Sequence, residues 1–358
     1  MVNEKIAIFP VNYENASLIR FAFMRNIDPI ALISPDLSTL SGKDISNLDG
    51  GSIANIDLRL DYKQCVCECD ILYMLESYEL KEDNIYNELI SYAHAYEKKV
   101  LFSPELNKRL NSIEANLHSS NEIQVNDFSS KSNLYKIDTP IISIFSLGEN
   151  SGQLATELSV RNFFDNKGYN ALQFGNPEYS EVTGWIGLPD FIFDSTIDEY
   201  VKSVAFNRFV YNHNKEIEPD VIIIGVPRPI MKFNDDILNG LGMLPFTVQS
   251  AINSDIGILS LYHTNFNHEY LEMLSNLCKY RFGVEAKFFS VSNTQATKNL
   301  HERGKLDLLY VTSDYVTKNI SADTEKDEFT LFSIYDNENL IRACERIENE
   351  LSSNIEAI

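Results

Sequence analysis

The stretch Ile141–Tyr169, IISIFSLGENSGQLATELSVRNFFDNKGY, constrains this chain more than any other. Its first residues, Ile141–Phe145, are apolar and rich in β-branched side chains, the signature of a buried strand. Gly148 to Gly152 is a short polar loop. From Gln153 onward, Leu154, Leu158 and Phe164 recur near helical spacing, and Gly168 supplies a stop. Strand, glycine loop and helix in that order make the layout of a phosphate cradle, because a helix N-terminus carries unpaired N–H groups and a partial positive charge. A Walker loop also requires Gly-Lys-Ser/Thr, with the lysine on the phosphates and the hydroxyl on magnesium. Here Gly152 is followed by Gln153 and Leu154. The candidate cradle of Gly148, Glu149, Asn150, Gly152 and Gln153 thus has the shape of a phosphate site without its charge or its metal hook.

The rest of the chain alternates between strand-like and helix-like segments. In the first part, Lys5–Phe9, Pro29–Ser34, Asp70–Leu75 and Lys99–Phe102 read as strands, and Leu18–Met24, Asp61–Glu68 and Asn84–Glu97 as helices. Such alternation predicts a parallel sheet with helices on both faces. The first strand is followed by PVNYEN rather than Gly-x-Gly-x-x-Gly, which argues against a dinucleotide site there. A length of 358 residues suits two domains. The expected division is 1–127, a linker at 128–139 in a Ser- and Asn-rich stretch, and 140–358. Strands in the second part are expected at Ala171–Phe174, Asp220–Val226, Ile256–Leu261, Ala286–Ser290, Leu306–Val311 and Phe329–Ile334. The expected fold class is α/β, with two Rossmann-like parallel-sheet domains, the second resembling a degenerate P-loop NTPase.

Charge narrows the partners. Fifty-two acids against 30 bases give a net charge of −22, which opposes a phosphate backbone or an anionic lipid surface. Neither nucleic acid nor membrane is expected as a partner. The N-terminus enters a strand at once without a signal-peptide layout, so a cytoplasmic location is expected. Five cysteines include Cys65, Cys67 and Cys69. The run would place three thiols on one face if extended, but it matches no zinc spacing and reads as small buried hydrophobes. No metal and no resident cofactor are expected.

In open α/β sheets, ligands sit beyond the C-terminal ends of the strands. In the second domain those ends carry Arg228 between two prolines and the pair Tyr262-His263. They also carry the long Gly175–Pro189 connection with Tyr179 and the only tryptophan, Trp185. Arg228, Trp185, Tyr179, Tyr262 and His263 are the candidate partner-binding residues, since arginine and aromatic side chains anchor binding patches. The competing reading places Trp185 and Tyr262 in the core and makes Arg228 a structural ion-pair partner.

Segments spread over nearly the whole chain carry a family resemblance. They are KIAIFPVN at Lys5–Asn12, ALISP at Ala31–Pro35, GKD at Gly42–Asp44 and DGG at Asp49–Gly51. In the second half they are SLGE at Ser146–Glu149, GLPDFIF at Gly187–Phe193, the run from Pro219 to Asn234, ILSLY at Ile258–Tyr262 and LSNLCKYRFG at Leu274–Gly283. With these the chain resembles the peptide maturation system proteins of bacteriocin-like biosynthesis clusters. The resemblance implies an accessory role in maturing a ribosomally synthesised, post-translationally modified peptide. The implied partners are the precursor peptide and a modifying enzyme of radical type. Two other readings stay open: a nucleotide-dependent enzyme that activates a carboxylate in the degenerate cradle, and a redox or small-molecule sensor using the cysteine triplet. Gln153 in place of lysine favours the binder. A homodimer is expected, through the apolar side of the C-terminal helix.

Overall fold

The computed structural model describes residues 4–22, 27–77, 80, 83–110, 133–299, 306–320 and 328–356. It divides into two compact units. The first comprises Met1–Ser119 together with Asn176–Gly187. Its strands are β1 (Glu4–Val11), β2 (Ile27–Ile33), β3 (Leu58–Arg59), β4 (Ile71–Met74) and β5 (Lys99–Phe102). They form one sheet in the order β3-β2-β1-β4-β5, parallel throughout. The connecting helices are α1 (Ala16–Ala22), α2 (Ser46–Asp49), α3 (Tyr62–Glu68), α4 (Asn84–Ala95) and α5 (Pro104–Leu110). The central strands are almost entirely buried, as both faces of a helix-covered parallel sheet must be.

The second unit is built on β6 (Ile141–Ser146), followed by α6 (Gln153–Asn166) and β7 (Ala171–Gly175). The segment Asn176–Gly187, with the short α7 (Ser180–Thr183) and β8 (Ile186–Gly187), then belongs to the first unit, not to the second as the sequence suggested. The chain continues through α8 (Glu199–Ile217), β9 (Val221–Gly225), α9 (Met243–Gln249), β10 (Ile256–Leu261), α10 (His268–Phe282) and β11 (Ala286–Val291). It ends with β12 (Thr294–Lys298), β13 (Leu306–Tyr310), α11 (Ser313–Ile320), β14 (Thr330–Phe332) and α12 (Asn337–Glu356). The strands of the main sheet run β14-β11-β10-β6-β9-β7, again all parallel. The fold is therefore α/β with two Rossmann-like parallel sheets. β13 departs from the expected pattern. It pairs antiparallel with β12 in a separate ribbon, and its half-exposed residues suit an edge ribbon better than a buried parallel strand.

Residues 128–132 of the expected linker lie outside the described residues. The remainder, 133–139, has no regular structure and is tied to α8. Tyr135 N–H donates to Asn207 (2.6 Å), Thr139 Oγ1 pairs with Asn214 (2.8 Å), and the Arg208 guanidinium lies over the Tyr135 ring. The apolar stripe of α12 covers its own unit: Ala343, Cys344, Ile347 and Leu351 are buried, and Glu348 pairs with Lys167 and Tyr169 near the end of α6. Among the described residues, the part of the stripe from Ala343 to Leu351 is thus used within its own unit, while Ile341 is 39% exposed. The cysteine run is helical, not extended. α3 buries Cys65 and leaves Cys67 exposed, and Cys69 is buried at the C-cap, so the three thiols share no face. Burial pushes the Cys65 thiol up to about 12 and raises Cys69, the opposite of a reactive thiolate. Among the described residues no cluster of His, Cys, Asp and Glu could hold a metal ion, and no helix is long and apolar enough to cross a membrane.

Candidate functional site

The C-terminal rim of the second sheet gathers the glycine loop, the segment after β9 and the end of β10. Six buried residues make β6 a central strand, and the chain leaves it in a turn that needs left-handed backbone at Asn150 (φ 57°) and Gly152 (φ 88°). Tyr262 fills the space above this turn. A β-carbon at position 148 would run into the Tyr262 hydroxyl, so only glycine admits the ring there. The hydroxyl donates to the Glu149 carbonyl oxygen, and the ring meets Phe233 edge-on at 6.4 Å. Burial raises the Tyr262 phenol, which keeps it a donor.

The residue at the Walker-lysine position is likewise committed. The Gln153 side-chain amide lies 2.9 Å from Val226 O, 3.1 Å from Ile144 O and 2.9 Å from Glu157 Oε1. It is turned down into the ends of β6 and β9 and not across the loop. Below it lies a group that sequence reasoning missed. Glu157 on α6 is buried, and Gly225 lets its carboxyl lie directly against β9. Gln173, in the middle of β7, brings its amide to 3.5 Å from Glu157 Oε2. Burial pushes the Glu157 carboxyl up to about 8, against the opposing effect of hydrogen bonds from Gln153 and Gln173. The Gln173 Oε1 atom is buried without a hydrogen-bond partner among the described residues. A protonated Glu157 supplies what that atom needs, an O–H donor, once the Gln173 amide is turned over. The sequence did carry a signal. Glu157 falls at i, i+3 and i+7 with Val160 and Phe164, an acid on the apolar face of a helix.

Of the five expected partner-binding residues, Arg228 is the exposed one and Tyr179 is half-buried. Arg228 adopts φ 66°, an uncommon conformation for a side chain of this size, and has no ion pair or hydrogen bond among the described residues. The backbone bond from Ile230 N to Ser146 O (2.9 Å) keeps its segment beside β6, at the entrance to the glycine loop. The expected structural ion pair is thus not formed within the described residues. Tyr262, His263 and Trp185 are core, between 4 and 5% exposed, so they are not surface anchors. His263 lies between two amides, Gln295 Nε2 at 3.1 Å from Nδ1 and Asn319 Nδ2 at 3.3 Å from Nε2, with Tyr315 against the ring. A neutral imidazole has one donor and one acceptor, so one amide must present its oxygen. Burial lowers the pKa of His263. Trp185 and Tyr179 are on the other unit, where the Trp185 indole N–H donates to Asn176 O (2.9 Å) and the two rings meet edge-on. Tyr73 anchors the same segment through its bond to Glu178 O (2.5 Å). Of the five, Arg228 and Tyr179 reach solvent, each on its own unit, and the other three are buried.

No family model matches the chain, and no curated protein does. Among solved structures, the crystal structure of a DUF1611 family protein from Anabaena variabilis ATCC 29413 is similar over 96% of this chain and 100% of that one, with a TM-score of 0.56 and 10% identity. At that identity the likeness establishes the α/β architecture across both units.

Proposed function

We propose that the chain is a binding protein, an accessory in the maturation of a ribosomally synthesised, post-translationally modified peptide. It would hold the precursor peptide, the modifying enzyme, or both, in the cytoplasm. The observation that carries the choice of binder over nucleotide-dependent enzyme is the use of the glycine loop. Tyr262 packs on Gly148 and bonds to Glu149, and Gln153, where a lysine would reach the phosphates, is anchored on strand carbonyls. Leu154 offers no hydroxyl to magnesium. Arg228 suits capture of a peptide carboxylate at the same rim, since a guanidinium pairs with a carboxylate in a planar fork. The biosynthetic setting rests on the resemblance carried by the segments quoted above.

Two measurements test this reading. Magnesium–ATP and magnesium–GTP should bind no tighter than roughly millimolar by calorimetry, about 4 kcal/mol. Low-micromolar affinity would instead support carboxylate activation. Co-purification with the precursor peptide and modifying enzyme encoded beside it should succeed with the parent chain. Arg228→Ala should weaken that capture about tenfold, ~1.4 kcal/mol, and leave the thermal midpoint unmoved. A variant that binds as well as the parent removes Arg228 from the working surface.

A further inference from the structure

The segment Asn176–Gly187 is a loop folded on itself. The residues that bound it are joined, Leu188 N–H to Gly175 O (2.9 Å), so the loop leaves and returns at one point. A β-carbon at Gly187 would crowd Pro177, which puts the two arms in contact. Its own side chains close the interior. The Trp185 indole N–H donates to Asn176 O, Thr183 Oγ1 to Tyr179 O (2.8 Å) and Ser180 Oγ to Pro177 O (2.9 Å). Ends that meet and an interior filled by the loop itself define an Ω-loop, a compact element that is often functional. The loop lies in the first unit, with α7 packed on α1 and the turn Pro177–Tyr179 on α5. Through Tyr73 of β4 and the start of α5 it sits at the C-terminal ends of β4 and β5, where open α/β sheets take ligands.

The polar contact that holds the loop there is incomplete. Glu178 Oε1 accepts from Glu105 N (2.9 Å), and the Ser103 hydroxyl also bonds to this carboxyl. Glu178 Oε2 is buried without a hydrogen-bond partner among the described residues. Ser103 links it to a second acid in the same condition. Ser103 Oγ accepts from Glu76 N (3.1 Å), while the Glu76 side chain, 9% exposed, puts Oε1 on Arg109 (2.6 Å) and leaves Oε2 buried and unpartnered among the described residues. A buried carboxylate oxygen without a donor is costly, and a proton removes the charge. The surroundings act the same way: burial first, then the charges of Glu105 and Glu76, push the Glu178 carboxyl up from its ordinary 4.5. Tyr73 is kept a neutral phenol by burial, and Tyr179 and Glu181 belong to the loop itself. Of the cations on the helices packed against the loop, Arg109 on α5 is held by Glu76 and Asp83 (3.0 Å), Lys108 is exposed, and Arg20 on α1 is bonded to Asp49. Docking is therefore fully favoured below 4.5 and weakens as the pH rises through the raised value. We propose that Asn176–Gly187 is a latch, closed on the C-terminal rim of the first sheet while Glu178 is neutral and released when that carboxyl ionises, which uncovers the ends of β4 and β5.

Trp185 is the only tryptophan of the chain and lies in the latch, 4% exposed, so its fluorescence reports on this loop. In the full chain, raising the pH should move the emission to the red and admit acrylamide quenching, with a midpoint above 4.5, while the far-UV circular dichroism stays constant. Glu178→Gln is neutral at every pH and has nearly the shape of the protonated acid, so its emission should stay blue throughout. Glu157 titrates in both chains, and its effect is common to them. Glu76→Gln should lower the midpoint, because it removes a negative charge that opposes ionisation of Glu178. A parent whose emission does not move overturns the proposal, and so does a red shift that Glu178→Gln retains. A shift that comes with loss of the far-UV signal is unfolding of the chain and also overturns it. If Glu178→Gln fails to fold, Glu76→Gln decides, and an unchanged midpoint in that variant overturns the latch.

Discussion

Replacing Glu157 by Gln should flatten the dependence of stability on pH and raise the unfolding free energy above pH 8 by ~5 kcal/mol relative to the parent. The carboxyl has an ordinary value of 4.5 in the unfolded chain and is pushed to about 8 by burial in the folded one. Between these values the unfolded chain has lost a proton that the folded chain keeps, so raising the pH favours unfolding. The favourable state is fully present below pH 4.5 and is lost as the pH rises through 8. At 1.36 kcal/mol per pH unit the interval corresponds to about 5 kcal/mol, the cost of ionising a carboxyl with no cation beside it. Gln is nearly isosteric with the protonated acid. Its amide oxygen can accept from Gln153, and its N–H can donate to the orphaned Gln173 oxygen. Urea titrations at pH 5 and pH 9 measure the effect as a difference of differences, in which the other carboxylates cancel. If parent and variant lose stability in parallel across that interval, Glu157 is already ionised in the folded protein and the account is wrong.

Truncating Tyr262 to Ala should destabilise the second unit by ~3–5 kcal/mol, the range for removing a large aromatic side chain from a packed site. The ring lies over Gly148, touches Phe233 and is 5% exposed, and the loop cannot collapse into the gap without leaving β6. Tyr262→Phe keeps the ring and loses only the bond to the Glu149 carbonyl, an effect of ~1 kcal/mol. Thermal unfolding followed by circular dichroism should therefore rank parent, Phe and Ala with a much larger second step. Equal losses for the two variants would mean that the hydroxyl, not the ring, holds the loop. A negligible loss for Ala would return Tyr262 to the surface.

Tyr262 also shows where reading residues in a line falls short. Aromatic and arginine residues at strand ends carry the same local signal whether they face solvent or a neighbouring loop. Whether Tyr262 is exposed depends on Gly148, more than a hundred positions earlier in the chain. Trp185 is the same case, because Asn176–Gly187 follows β7 of the second unit in the chain yet belongs to the first unit. The cysteine run differs: Asp61–Glu68 reads as a short helix, and the structure forms it, with Asp61 capping it by accepting from Gln64 N.

What the sequence alone determined is the architecture. Parallel α/β order follows from local information, apolar runs of five or six residues alternating with helical periods and punctuated by Gly and Pro, and β6, its glycine loop and α6 were legible for that reason. The absent lysine and hydroxyl were equally legible, since a motif of fixed spacing is a local fact. Only the tertiary structure decided what became of the loop. Glu157, Gln173 and Gly225 come from a helix and two different strands, and a buried acid becomes a proton-holding group through the dielectric and donors that distant segments place around it. The exposed face of α9 and α10 was hidden for the same reason. An apolar residue at helical spacing reads as core until the neighbours that would cover it are known, and here the apolar side chains Met243, Phe246, Met273 and Tyr280 remain uncovered.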